Sequence, residues 1–148
     1  MSTSTTTSTT RPTVLQNWQP FAAISSGLAA VLTAIGTFWS PLADYEATRS
    51  INDFYSWLIV LAMIAVGVAV VFGVVVRRAT SANAAKRAVV LSVLAVLSVV
   101  VFWTGLPLVF AGGAVCCALV EPRRMPSRIA LALAALVAAA AVWAALAG

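Results

Sequence analysis

Between Arg87 and Glu121 the chain carries no charged side chain. As one helix, at about 1.5 Å per residue, residues 88–120 would extend about 50 Å, well beyond the roughly 30 Å of hydrocarbon in a bilayer. A single straight span does not fit, so the run must divide. Thr104, Gly105, Leu106 and Pro107 supply the place. Pro107 removes a backbone donor, Leu106 before it is pushed away from the helical region, and Gly105 tolerates a positive φ. The expectation is a tight hairpin turn at these four residues, joining apolar helices over about 88–103 and 105–120.

Composition places the whole chain in the same class. Its 148 residues are 62% hydrophobic and only 9% charged, with a mean hydropathy of +1.03. That balance belongs to an integral membrane protein rather than a soluble domain. The net charge of +5 does not point to nucleic acid, because the basic residues fall in short loops between apolar segments rather than on one continuous face. Histidine is absent, and the only cysteines are the adjacent Cys116 and Cys117. Neither a metal site nor a disulfide framework follows from such a set, so no cofactor is expected.

Taken in order, residues 1–17 read as a disordered, Ser/Thr-rich cytoplasmic tail, too poor in apolar surface to offset the entropy of ordering. Residues 18–148 read as a single transmembrane domain. Its first span covers about 20–39, opened by Pro20 and bracketed by Trp18 and Trp39, and is taken as retained rather than as a cleaved signal. An acidic loop with an aromatic rim follows, carrying Asp44, Glu46 and Asp53 against Arg49. Its carboxylates are candidates for holding a cation or a basic partner outside the membrane, although their spacing matches no calcium loop. Asn52 or Asp53 can also simply cap the next helix.

The second span, about 55–76, places Ala62, Ala65, Ala69 and Gly73 on one helical face. Small side chains there let another helix approach closely, and contact within the chain is the expected use. The last span, about 129–147, aligns Ala130, Ala134, Ala138, Ala141 and Ala145 opposite Leu133, Leu136 and Trp143. The alanine stripe should face protein and the bulkier face lipid.

Topology follows from charge. Arg77, Arg78, Lys86 and Arg87 lie in one loop and Arg123, Arg124 and Arg128 in the next, together seven of the nine basic residues. Short loops rich in Arg and Lys stay on the cytoplasmic side, so an even number of crossings must separate them. The predicted fold is therefore an all-α, polytopic transmembrane helical bundle of five spans, with a tight hairpin between spans 3 and 4. The amino terminus is cytoplasmic and the carboxyl terminus external. Each arm of the hairpin, at about 24 Å, is slightly short, so a re-entrant turn is the alternative to full crossing.

The pattern Phe102-Trp103-Thr104-Gly105-Leu106-Pro107-Leu108-Val109, followed by the small residues 111–114 and an Arg pair, resembles a turn of small multi-spanning membrane proteins of actinobacterial type. The resemblance implies a helical membrane fold and assigns no activity, cofactor or site residue.

None of the five expected spans contains Asp, Glu, Lys, Arg or His, the residues that proton relays, ion pathways and charged-substrate sites need. That argues against a proton-coupled transporter and against acid–base catalysis within the bilayer. The membrane hydroxyls, from Ser25 to Thr104, have no neighbouring base to activate them, and Cys116 and Cys117 read as small apolar packing. The pair Gly112-Gly113 reads as close helix packing. The expectation is a non-enzymatic accessory or scaffolding subunit of a bacterial inner-membrane assembly, in contact with the lipid bilayer and with another membrane protein or itself, and not with nucleic acid. A small oligomeric path for a neutral or lipophilic solute and a sensor built on the acidic loop are the alternatives.

Overall fold

The computed structural model describes residues 12–38 and 51–147, with the side chains of 37, 51–53, 102–103 and 145–147 left aside. Every regular element among them is helical: α1 (Thr13–Gln16), α2 (Gln19–Phe38), α3 (Ile51–Val70), α4 (Ala84–Ser98), α5 (Leu106–Ala118) and α6 (Met125–Ala147). A π-helical segment, Val71–Val76, continues α3, and a 3-10 segment, Val99–Thr104, continues α4.

Length and apolarity make four stretches able to cross a membrane: Gln19–Gly36, Phe54–Val76, Ala84–Val101 and Met125–Ala144. The fifth apolar helix, α5, is shorter.

Helix α5 is the centre of the bundle. Leu108, Val109, Ala111, Ala114, Cys116, Cys117 and Ala118 are all buried, whereas the other long helices keep large apolar side chains exposed on their outer sides. Its start is set by Gly105, with φ 68° in the left-handed region, and by Pro107 in its first turn, where a missing N–H costs nothing. The preceding 3-10 segment is kinked at Val101, with φ −111° and ψ 42°. Thr104 fastens the corner: its hydroxyl donates to the Val101 carbonyl at 2.8 Å and accepts from the Leu106 N–H at 3.4 Å.

Ring contacts show that α2 and α3 run antiparallel. Trp18, just before α2, stacks on Phe72 at 6.2 Å, while Phe38 at the other end of α2 meets Trp57 edge-on at 5.8 Å. One end of the bundle thus gathers α1, the 77–83 loop and the 119–124 loop.

The loops at that end are braced. The Thr80 N–H donates to Asn83 Oδ1 at 2.8 Å, and the Asn83 N–H returns a bond to the Thr80 carbonyl at 3.1 Å, fixing the entry to α4. Glu121 pairs with Arg124 across a single turn ahead of α6.

Two expectations are corrected here. The tail expected over residues 1–17 does not extend that far: residues 13–16 form α1, and Leu15 is completely buried in the main core. One leucine surrounded by helix ends gains enough apolar burial to order a short segment that composition reads as solvated. The rest of that tail, residues 1–11, lies outside the described residues.

The second correction concerns Ala62, Ala65, Ala69 and Gly73. The three alanines are exposed, and a Cβ added at Gly73 would meet nothing within 4 Å. This stripe makes no close helix contact among the described residues. The buried face of α3 and its extension carries Ile64, Val71, Phe72 and Val76 instead.

On α6 the alanine stripe does turn inward. Ala130 and Ala134 are buried, and Ala138 and Ala141 pack against the core, while Leu136 and Trp143 are exposed.

Candidate functional site

Among the described residues, helices approach most closely around α5. A Cβ on Gly112 would lie 2.6 Å from Ser25 Cβ, and one on Gly113 would lie 2.4 Å from Val71 Cγ1. The knobs are therefore on α2 and on the π-helical end of α3, and the hollows are on α5. The glycine pair is used for close packing, as its place in an apolar span implies.

Cys116 and Cys117, one turn further on, are fully buried and form no disulfide among the described residues. The Cys116 sulfur approaches the Val14 carbonyl at 4.0 Å, so α1 lies over the thiol pair.

Four of the buried and half-buried hydroxyls turn back on their own helices. Ser25 donates to the Phe21 carbonyl at 2.8 Å, Thr33 to Ala29 at 2.9 Å, Ser92 to Val89 at 2.8 Å and Ser98 to Ala95 at 2.9 Å. Each satisfies its donor without reaching across to another helix, which leaves none of them poised against a base. Three buried polar atoms, Trp57 Nε1, Ser127 Oγ and Glu121 Oε2, have no hydrogen-bond partner among the described residues, and of these Glu121 Oε2 is in the ion pair with Arg124.

The turn residues are enclosed rather than presented. Thr104 is 6% exposed, and Gly105, Pro107 and Leu108 are buried. Gly105 faces Ile64 of α3 and Ala29 and Thr33 of α2. Thr33 stands five residues before the end of α2, so the turn lies about 7.5 Å short of that end.

Seven of the nine basic residues concentrate at the opposite end. Arg77 and Arg78 follow the π-helical segment, Lys86 and Arg87 lie in the first turn of α4, and Arg123, Arg124 and Arg128 flank the start of α6. All are exposed except Arg87, which is half-buried and donates from Nη1 to the Val75 carbonyl at 2.5 Å. That bond caps the carboxyl-terminal end of the π-helical segment, where carbonyls lack intrahelical partners and a cation is favoured. Sequence reasoning missed it. A π-helical turn in a run of valines has no composition signal, and nothing in the spacing of Arg87 distinguishes it from its neighbours.

Of the acidic-loop candidates, Asp44 and Glu46 lie outside the described residues. Asp53 is placed only as backbone, in the first turn of α3. Where the end of α2 meets the start of α3, Phe54, Tyr55, Trp57 and Phe38 form a chain of ring contacts at 5.8–6.5 Å. Among the described residues, no group of three or more His, Cys, Asp or Glu is placed to hold a metal ion.

Comparison with protein-family models, with curated proteins and with solved structures finds no match to this chain.

Proposed function

We propose that the chain is a non-enzymatic accessory or scaffolding subunit of a bacterial inner-membrane assembly, with its basic end in the cytoplasm and its carboxyl terminus outside. The observation that carries this reading is the interior. Where the helices meet α5, the side chains are apolar or small, and the hydroxyls among them are satisfied by their own backbones. An interior of that kind supplies neither a base nor a charged relay for a substrate, whereas it does supply a stiff body with wide apolar outer faces.

The test is purification in mild detergent followed by measurement of mass and of co-purifying chains. A stoichiometric foreign membrane protein is the expected result. A pure homo-oligomer that raises solute flux in liposomes would overturn the reading in favour of a small oligomeric path.

For the topology, two geometries agree with cytoplasmic placement of both basic loops: five full spans, or three with a re-entrant α4–α5 pair between the second and the last. The second has the better physical support. Helix α5, at 13 residues, is about 20 Å long against the roughly 30 Å required, and its turn is enclosed by α2 and α3.

Cysteine labelling decides between them. In a chain with Cys116 and Cys117 replaced by alanine, Thr104→Cys should resist membrane-impermeant maleimide from both sides. Rapid labelling from the outside would establish five full spans.

A further inference from the structure

We infer that the basic end of the bundle is a docking surface for anionic phospholipid headgroups of the leaflet it faces, an inference that rests on the membrane placement proposed above. Of the seven cations gathered there, two are already engaged: Arg87 with the Val75 carbonyl and Arg124 with Glu121. Arg77, Arg78, Lys86, Arg123 and Arg128 remain exposed, with no ion pair among the described residues.

Depth selects the partner. Each of the five lies within about a turn of the end of an apolar helix, at the boundary between hydrocarbon and water, and the anion always present at that depth is the headgroup phosphate. Four of the five are arginines, whose planar fork matches phosphate oxygens two at a time. The loops that carry them are braced by the Thr80–Asn83 and Glu121–Arg124 contacts, so the charges form a fixed array rather than a loose tail.

The neighbouring apolar surface separates a lipid from a soluble anion or a nucleic acid. Met125 is 73% exposed and Ile129 is 54% exposed, bracketing Arg128 on the outer face of α6. A ligand with a phosphate head and acyl chains satisfies both surfaces at once, and a soluble polyanion satisfies only the first.

The experiment titrates the full-length chain, purified in a zwitterionic detergent, with phosphatidylglycerol, phosphatidylcholine, inorganic phosphate and a short single-stranded oligonucleotide. Thermal midpoint is read at each step. Phosphatidylglycerol should raise the midpoint at low salt, with an effect that fades as salt is added, and the other three should not. Each of Arg77→Gln, Arg123→Gln and Arg128→Gln should weaken the apparent affinity for phosphatidylglycerol about five-fold, and the triple variant on the order of a hundred-fold. A triple Arg→Lys variant, which keeps the charge and loses the fork, should fall between the native chain and the triple Gln variant, which separates lost charge from lost folding.

Equal stabilisation by phosphatidylcholine would overturn the inference, as would an undiminished response in the triple Gln variant. An equal response to phosphate or oligonucleotide would reassign the surface to soluble anions. Membrane integration is read separately, by resistance of the protein to alkaline extraction from native membranes. Loss of that resistance would remove the premise, and retention of it with no lipid preference would remove only the inference.

Discussion

Gly112→Ala should destabilise the bundle by about 1–3 kcal/mol, the range for overfilling a packed interior. The same substitution at Gly27 or Gly36 should be neutral or stabilising by up to about 1 kcal/mol, the helix propensity gained over glycine. The difference lies in what the new methyl group meets. At Gly112 it would lie 2.6 Å from Ser25 Cβ, an atom fixed by its own backbone, so α2 and α5 must separate. At Gly27 and Gly36 nothing lies within 4 Å.

Between these extremes the structure orders the others. Gly113→Ala meets a methyl of buried Val71 at 2.4 Å and Leu91 Cδ1 at 3.2 Å, and should cost nearly as much as Gly112→Ala. Gly67→Ala meets the flexible end of Leu106 at 2.7 Å, which can rotate aside, and should cost less. Thermal midpoints of the series in one detergent check the order. A flat series, with Gly112 no worse than Gly27, would show that α5 is not the centre of the packing.

Gly73 adds a second readout. Nothing among the described residues lies within 4 Å of a Cβ added there, so Gly73→Ala should behave like Gly36→Ala in the monomer. A loss of stability at Gly73 that appears only at high protein concentration would assign the small face of α3 to contact between copies.

Much of this architecture is legible from composition, and the reasons it is legible also explain where it is not. Long apolar segments and the Pro107 and Gly105 punctuation are local properties, so the helices and the break before α5 can be placed from the chain alone. The alanines of α6 are legible because the opposite face carries Leu136 and Trp143, and a contrast of size marks the side that packs.

Helix α3 lacks that contrast. It is apolar on all sides, and in lipid neither face pays a hydration cost, so hydrophobic periodicity cannot tell inside from outside. The small residues of α3 point to a close approach on that helix, but the thinness is supplied by its partner. Gly112 and Gly113 of α5 open the hollow, and Val71 and Phe72 fill it. Which of two helices brings the knob and which the hole is a property of the pair, and neither sequence segment contains it.

Leu15 and Arg87 were hidden for a related reason. Each is a single residue whose role depends on contacts distant in sequence: Leu15 buried in the core on α1, which packs against α5, and Arg87 against a carbonyl twelve residues away. The seven clustered basic residues made the end of the bundle visible from the sequence but gave no way to tell the one engaged inward from those left on the surface.

Gly105→Ala should cost on the order of 2–4 kcal/mol, from two separable sources. The first is conformational. Gly105 has φ 68°, and an L side chain in the left-handed region pays roughly 1–2 kcal/mol. The second is steric. The added Cβ would lie 2.9 Å from Ile64 Cδ1 and 3.2 Å from both Ala29 Cβ and Thr33 Cγ2, so the corner of the turn is pressed between α2 and α3 with no room for a methyl group.

A double-mutant cycle with Ile64→Val separates the two. Ile64→Val removes the atom nearest the new methyl and by itself should cost about 0.5–1.5 kcal/mol. In the Gly105→Ala background it should cost less than that, because it relieves part of the overlap, and the favourable coupling measures the steric share. What remains reflects the left-handed backbone, together with the contacts to Ala29 and Thr33. Gly105→Asn discriminates further: asparagine tolerates the left-handed region better than alanine but carries more volume. In an enclosed turn Gly105→Asn should be at least as harmful as Gly105→Ala, and at an exposed turn it should be milder. If Gly105→Ala keeps the wild-type thermal midpoint, the left-handed corner itself is wrong. If Gly105→Asn is the milder of the two, the corner stands in open space at the membrane surface and the α4–α5 pair crosses fully.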